Sequence, residues 1–277
     1  MLITLLTDFG TADYFVGAMK GAILSVNASA RIIDITHEIE PHDIEAGAFT
    51  LLEAYETFPA QTIHVAVVDP GVGSRRRPIL VASENHLFVG PDNGLFSYIY
   101  ERVESYGVFH LTGEKYFRHP VSATFHGRDV FAPVAGWLSK GVEPREFGTL
   151  IEDYERLAPL APKSLQGGIV EARIIHIDRF GNCVTNLTRR ELTGEMIAGG
   201  ACLKIKEQEV KDFRQFFADA NASSDELFAI WGSAGFLEIA AFRTSAARLL
   251  CVERGQRVEL RIAKLGVKQT RDLSPNT

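Results

Sequence analysis

Asp69 stands seven residues before Arg76 in the segment Val67–Pro78, "VVDPGVGSRRRP", which leaves an apolar run, "TIHVAVV". A second polar segment, "TFHGRDVF", carries His126 and Arg128 ahead of a helical pattern. A carboxylate, a guanidinium and an imidazole together suit activation of a water molecule. The carboxylate orients the water or accepts its proton, the guanidinium favours developing negative charge, and the imidazole relays or holds the proton. The same residues would also make an ion pair that merely staples a turn, with His126 beside a helix start. Residue types alone leave both readings open, and they do not separate Arg76 from Arg75 and Arg77.

Other polar loops follow other apolar runs. "TDFGTADY" holds Asp8 and Asp13, "THEIEPHD" holds His37, His42 and Asp43, and "GPDNG" holds Asp92 and Asn93. In an open α/β sheet ligands bind beyond the carboxyl ends of the strands, where these loops would lie; Asp and Asn also serve there simply as caps and turn formers. "DPGVGSRR" fits neither the GxxxxGK[ST] nor the GxGxxG phosphate cradle. "WGSAG" at 231–235 resembles a nucleophile elbow but lacks the strand–helix setting. No HxH or HxxxH pair is present, so no metal site is expected.

The elements that must position these loops show two periodicities. Strand-like runs at 2–6, 32–35, 63–68, 79–82 and 86–89 alternate with helical patterns at 14–26, 43–58, 93–103 and 128–140. That alternation predicts an N-terminal α/β domain over 1–150, with a mostly parallel sheet covered by helices. Residues 142–168 carry three prolines and read as a linker or wrapping segment, 151–167 as the linker proper. Alternating runs at 169–177, 202–206, 227–231, 236–242 and 257–262, with one short helix at 245–250, predict an all-β, barrel-like domain over 168–265. Residues 266–277 read as a tail.

The 277 residues have a net charge of −6, which argues against nucleic acid as a partner. Cys183, Cys202 and Cys251 have no CxxC spacing and suit a reducing compartment. No apolar run is long enough for a membrane span, and the start "MLITLLTDFG" lacks a basic n-region. A cytoplasmic location is expected.

The segments "LLTDFGTADYFVGAMKG", "VVDPGVGSRRRP", "FVGPDNGLFS", "FHGRDVFAPVA", "IDRFGNCVTN" and "GSAGFLEIAA", in order from about residue 2 to residue 242, resemble the S-adenosyl-L-methionine hydroxide adenosyltransferases. These enzymes hydrolyse S-adenosylmethionine to adenosine and methionine and are related to fluorinase and chlorinase. The resemblance implies an N-terminal α/β domain and a C-terminal β-barrel. It further implies a homotrimer with active sites between the N-terminal domain of one subunit and the C-terminal domain of its neighbour. It implies no cofactor, S-adenosylmethionine being the substrate. By the same resemblance Asp69, Arg76 and His126 form the catalytic set, Asp8 holds the ribose hydroxyls, and Asp13 lies on the same loop. His42 stands where relatives carry an aromatic that packs on the nucleoside. Asp178 receives the methionine ammonium, Phe180 and Asn182 contact adenine or the amino acid, and Ser233 lies in a matching segment. Glu238 is assigned a structural role. Phe242 replaces an expected polar residue at the amino-acid end. The halogenases carry a tyrosine at the position of Asp69, where a carboxylate would repel halide. Two alternatives stand beside hydrolysis: an S-adenosylmethionine or nucleoside binder with little turnover, and a halogenase, which Asp69 disfavours.

Overall fold

A computed structural model describes residues 1–217 and 226–262. The chain divides into two compact units, Met1–Pro159 and Leu160–Thr277.

The first unit runs β1 (Leu2–Thr7), α1 (Phe15–Val26), β2 (Arg31–Thr36), α2 (Ile44–Tyr55), β3 (Thr62–Val67), β4 (Pro78–Ser83), β5 (His86–Pro91), α3 (Ser97–Arg102), β6 (Tyr106–Leu111), α4 (Ala132–Ser139) and β7 (Gly148–Ile151). Its sheet has the order β2-β1-β3-β5-β4-β6-β7. Pairing is parallel from β2 through β5 and antiparallel from β5 to β7. Helix crossovers through α1 and α2 return the chain in the same direction, which makes the central pairings parallel. Every residue of β3 is buried, as expected for a strand covered on both faces. Ile3, Leu5, Ile63, Val65 and Val67 pack with α1 and α4. Gly47 of α2 lies against Val68 and Leu95 on the opposite side. The Asp43 carboxylate caps α2 by accepting from Ala46 N at 2.9 Å.

Two expected helices are shorter than their patterns. Asn93 bonds Leu95 N and Val68 O, and Gly94 has φ +97°, so the chain turns before α3 begins. Gly127–Phe131 forms a wide π-type turn, and α4 starts beyond it with a proline in its first turn. Residues 142–168 are not a bare linker. β7 adds to the edge of the first sheet; Gly148 is required there because a Cβ would sit 1.8 Å from His110 O. Asp153 and Glu155 then tie the following strap to Arg77 and Asp92.

The second unit runs β8 (Lys163–Leu165), β9 (Ile169–Ile177), β10 (Cys183–Thr188), α5 (Gly194–Ala198), β11 (Cys202–Ile205), β12 (Gln208–Val210), β13 (Phe213–Arg214), β14 (Leu227–Trp231), β15 (Phe236–Ala241), α6 (Ala246–Leu250) and β16 (Arg257–Arg261). The strands form one sheet in the order β12-β11-β16-β9-β10-β15-β14-β13, with β8 beside β9. β12 also comes against β14, which curls the sheet. Inward residues including Val170, Ala172, Ile174, Leu203, Leu237, Ile239, Val258 and Leu260 fill its core. β10 escaped the sequence pattern because Thr185 and Asn186 look polar. Both are buried and satisfied: Thr185 Oγ1 donates to Leu237 O at 2.7 Å and Asn186 Nδ2 to Leu160 O at 2.6 Å. The expected tail lies outside the described residues.

One buried group sets an acid limit on the first unit. His64 shares a hydrogen bond with Thr4 Oγ1 at 2.7 Å, and burial with the neighbouring His86 pushes its pKa down to about 3. Unfolding frees it to protonate near its ordinary value, so the unfolded chain binds more protons as pH falls below about 6.5. Stability is therefore retained above that pH and lost as pH falls towards about 3, by roughly 4–5 kcal/mol in the full shift. Denaturant unfolding measured across this range should show that slope, and His64→Gln should flatten it. An unchanged slope in the variant would assign the acid limit elsewhere.

Candidate active site

Asp69 leaves β3 two residues past its end, and Arg76 sits two residues before β4. The turn between them is closed by Val72 N donating to Asp69 O at 3.2 Å and Ser74 N to Gly71 O at 3.1 Å. Gly73, at φ +75°, presses against the His126 segment: a Cβ there would stand 2.1 Å from Ala123 O. Only glycine allows both that φ and that approach, and the approach brings the two polar segments together.

The Arg76 guanidinium grips Asp69 with both arms. Nε donates to Oδ1 at 2.9 Å and Nη2 donates to Oδ2. Nη2 also donates to His126 Nδ1 at 2.8 Å. The side chains of Asp69 and Arg76 are 4% and 8% exposed. The guanidinium carbon lies 5.3 Å from the Phe131 ring centre, and Nη1 is buried without a hydrogen-bond partner among the described residues. A guanidinium only donates, so His126 Nδ1 accepts and its proton belongs on Nε2. Burial first, then the Arg76 charge, holds His126 below its ordinary pKa against the opposing pull of Asp69 and Asp129. The result is a neutral imidazole beside an ionic pair, with lone pairs on Asp69 still open to a water molecule.

The three arginines therefore have different roles. Arg77 is held within this unit: Nε donates to Asp92 Oδ2 at 2.9 Å and Nη1 to Asp153 Oδ1 at 2.8 Å. Arg75 is exposed.

Asp8 follows β1 and accepts from the His42 backbone N–H at 2.8 Å through Oδ2. His42, beyond β2, takes φ 71° and is exposed. Gly10 N donates to His37 O at 2.7 Å, and Thr7 Oγ1 shares a hydrogen bond with His37 Nδ1 at 2.9 Å. The loops after β1 and β2 are thus laced together. Asp8, His42 and Asp69 all follow the carboxyl ends of neighbouring parallel strands, where an α/β sheet holds its ligand. Asp13 is exposed and makes no hydrogen bond or ion pair with Asp8 or His42 among the described residues.

In the second unit a separate cleft of about 830 Å³ is lined by Asp178, Phe180, Asn182, Ser233, Glu238 and Arg243, among others. Asp178 Oδ1 accepts from Phe180 N at 2.9 Å and Asn182 N at 2.8 Å, and Oδ2 from Asn182 Nδ2 at 2.8 Å. Gly181, at φ +86°, permits this turn to pass Ser245. Phe180 is 79% exposed. Phe242 packs away with Phe228, Ile230 and Ala240 rather than lining the cleft.

Asp129 was missed by the sequence reading. It is fully buried, and its carboxylate accepts from Arg128 Nε at 2.7 Å, Arg128 Nη2 at 2.8 Å, Ser122 N at 3.0 Å and Arg118 Nη1 at 3.2 Å. Those bonds hold the loop that carries His126. The available signal was an aspartate heading the apolar run "VFAPVA", since a carboxylate buried there must be paired.

Among the described residues, no group of three His, Cys, Asp or Glu is placed to hold a metal ion, and no helix is long and apolar enough to cross a membrane. Residues 3–148 match the SAM hydroxide adenosyltransferase N-terminal domain and residues 172–259 match the C-terminal domain of the same name. A (R)-S-adenosyl-L-methionine hydrolase of Methanocaldococcus jannaschii is 37% identical, over 94% of this chain and 95% of its own. A fluorinase of Actinoplanes is 26% identical over 86% and 90%. The crystal structure of an uncharacterized conserved protein from Thermotoga maritima superposes with a TM-score of 0.86 at 32% identity, covering 94% of this chain and all of the other.

Proposed function

The chain belongs to the SAM hydroxide adenosyltransferase family, and on that premise we propose that it hydrolyses S-adenosyl-L-methionine to adenosine and L-methionine at a site built on Asp69, Arg76 and His126. The observation that carries the reading is the buried Arg76 guanidinium, which joins the Asp69 carboxylate to a neutral His126. Hydrolase relatives are named for the (R) epimer at sulfur, and the same epimer is the substrate proposed here.

The chemistry follows from the substrate. A sulfonium leaves as a neutral thioether, so no acid is needed at that end. The demand falls on water, whose pKa in bulk is about 15.7. Asp69 orients the water and takes its proton as the oxygen attacks ribose C5′ in line with the departing sulfur. Arg76 holds Asp69 in place and balances the negative charge near the attacking oxygen. His126 anchors the guanidinium through Nδ1 and has an Nε2 proton to offer the same oxygen. One C–O bond forms, one C–S bond breaks, and one proton goes to solvent.

Asp8 is proposed to accept from the ribose hydroxyls, with His42 stacking on the nucleoside. Asp13 is a weaker contributor on the same loop. Asp178, Phe180, Asn182 and Ser233 are proposed to hold adenine and the methionine end. A homotrimer with sites shared between neighbouring subunits belongs to the same reading, as the resemblance implies. The unpaired cysteines support a reducing, cytoplasmic setting.

Purified protein given S-adenosylmethionine should release adenosine and methionine in equal amounts, also in excess chloride or fluoride. Binding without turnover would favour a sequestering protein, and a 5′-halogenated nucleoside would favour a halogenase. Asp8→Ala should weaken adenosine binding roughly tenfold to a hundredfold, the range for a lost charged hydrogen bond. Unchanged adenosine affinity by calorimetry would remove Asp8 from the ribose.

A further inference from the structure

The strand β15 places Glu238 opposite Val184 and Ile230, with its carboxylate in the cleft that also holds Asp178. Gly232 makes room for it: a Cβ on that residue would stand 1.9 Å from Glu238 Oε1. Glu238 is half-buried, and among the described residues it has no hydrogen-bond or ion-pair partner. Burial and the Asp178 charge raise its pKa. A half-buried carboxylate without a partner is costly to keep ionised.

Asp178 is in the opposite condition. A carboxylate has about four acceptor positions, and three of those of Asp178 are taken by Phe180 N, Asn182 N and Asn182 Nδ2. Its carboxylate shapes its own turn and has little capacity left for a group with three N–H donors. An α-ammonium entering the cleft meets one largely committed acid and one uncommitted acid.

Resting on the hydrolase reading, we infer that Glu238 is the main acceptor of the α-ammonium of S-adenosylmethionine, and that Asp178 chiefly organises the 178–182 turn. Glu238 is thus a specificity-determining residue for amino-acid-bearing sulfonium nucleosides over plain nucleosides.

The test uses the full chain and Glu238→Gln, which keeps shape and removes charge. The variant should raise KM for S-adenosylmethionine roughly tenfold to a hundredfold, with kcat and adenosine affinity within about twofold to threefold of wild type. Competition by L-methionine should weaken in step. With the deaminated analogue, whose side chain ends in the carboxylate alone, variant and wild type should become equivalent. Glu238→Asp, retaining the charge one methylene back, should recover part of the loss. Adenosine affinity serves as the check on folding, and loss of it together with S-adenosylmethionine binding would make Glu238 structural and overturn the inference. An unchanged KM in Glu238→Gln, with wild-type turnover intact, overturns this inference and leaves the hydrolase reading standing. A wild type that forms no adenosine overturns both.

Discussion

Asp69→Ala is expected to lower turnover of S-adenosylmethionine by at least about a hundredfold while adenosine affinity changes little. The asymmetry is the point. Asp69 lies past the end of β3 with both oxygens bonded to Arg76, and the proposed nucleoside contacts come from other residues. Losing it removes the group proposed to orient water and take its proton, not a group proposed to hold adenosine. Among the described residues, truncation also leaves the Arg76 guanidinium with His126 as its one hydrogen-bond partner, so the charge at the proposed site of attack turns positive. Kinetics and calorimetry on the same preparation check this, and near-normal turnover would take Asp69 out of the mechanism.

Arg76→Leu should abolish turnover and also destabilise the fold, as Asp69→Ala should by stranding the buried Arg76 charge. Asp69 is almost wholly buried, and removing the partner of a buried ion pair typically costs about 3–5 kcal/mol because the remaining charge is uncompensated. His126 Nδ1 loses its donor in the same step. Arg76→Lys supplies a charge without the two-armed grip, and a lysine cannot reproduce three bonds in the guanidinium plane. It should regain part of the stability and little of the turnover. Denaturant unfolding compared with kcat tests both. An Arg76→Leu protein as stable as wild type would mean the pair contributes nothing to the fold.

What was legible in the sequence was the content of the strand ends. Apolar runs such as "TIHVAVV" announce a doubly covered strand, and the loop after each run shows which polar residues the sheet edge displays. Two things were hidden. First, residue types do not show which arginine turns inward. Gly73 decides it by letting the turn close on Ala123, while Asp92 and Asp153 claim Arg77. Secondly, polar residues inside elements look like surface. Thr185 and Asn186 concealed β10, and Asp129 passed as part of a helix although it anchors the His126 loop. For Thr185 and Asn186 the partner that makes burial possible, Leu237 or Leu160, is distant in sequence, while Asp129 is held by its neighbour Arg128 together with Ser122 and Arg118. Phe242 shows the converse, since it lies just past β15 and packs with Phe228, Ile230 and Ala240.

The reaction itself came from resemblance, and the geometry around Arg76 explains why that reaction suits this chain. The central claim is that water, held at Asp69, attacks ribose C5′. Turnover in ¹⁸O-labelled water, followed by mass spectrometry of the nucleoside, tests it directly. The account predicts one labelled oxygen per adenosine, at the 5′ position, and none in methionine. Unlabelled adenosine, or label carried in methionine, would contradict it.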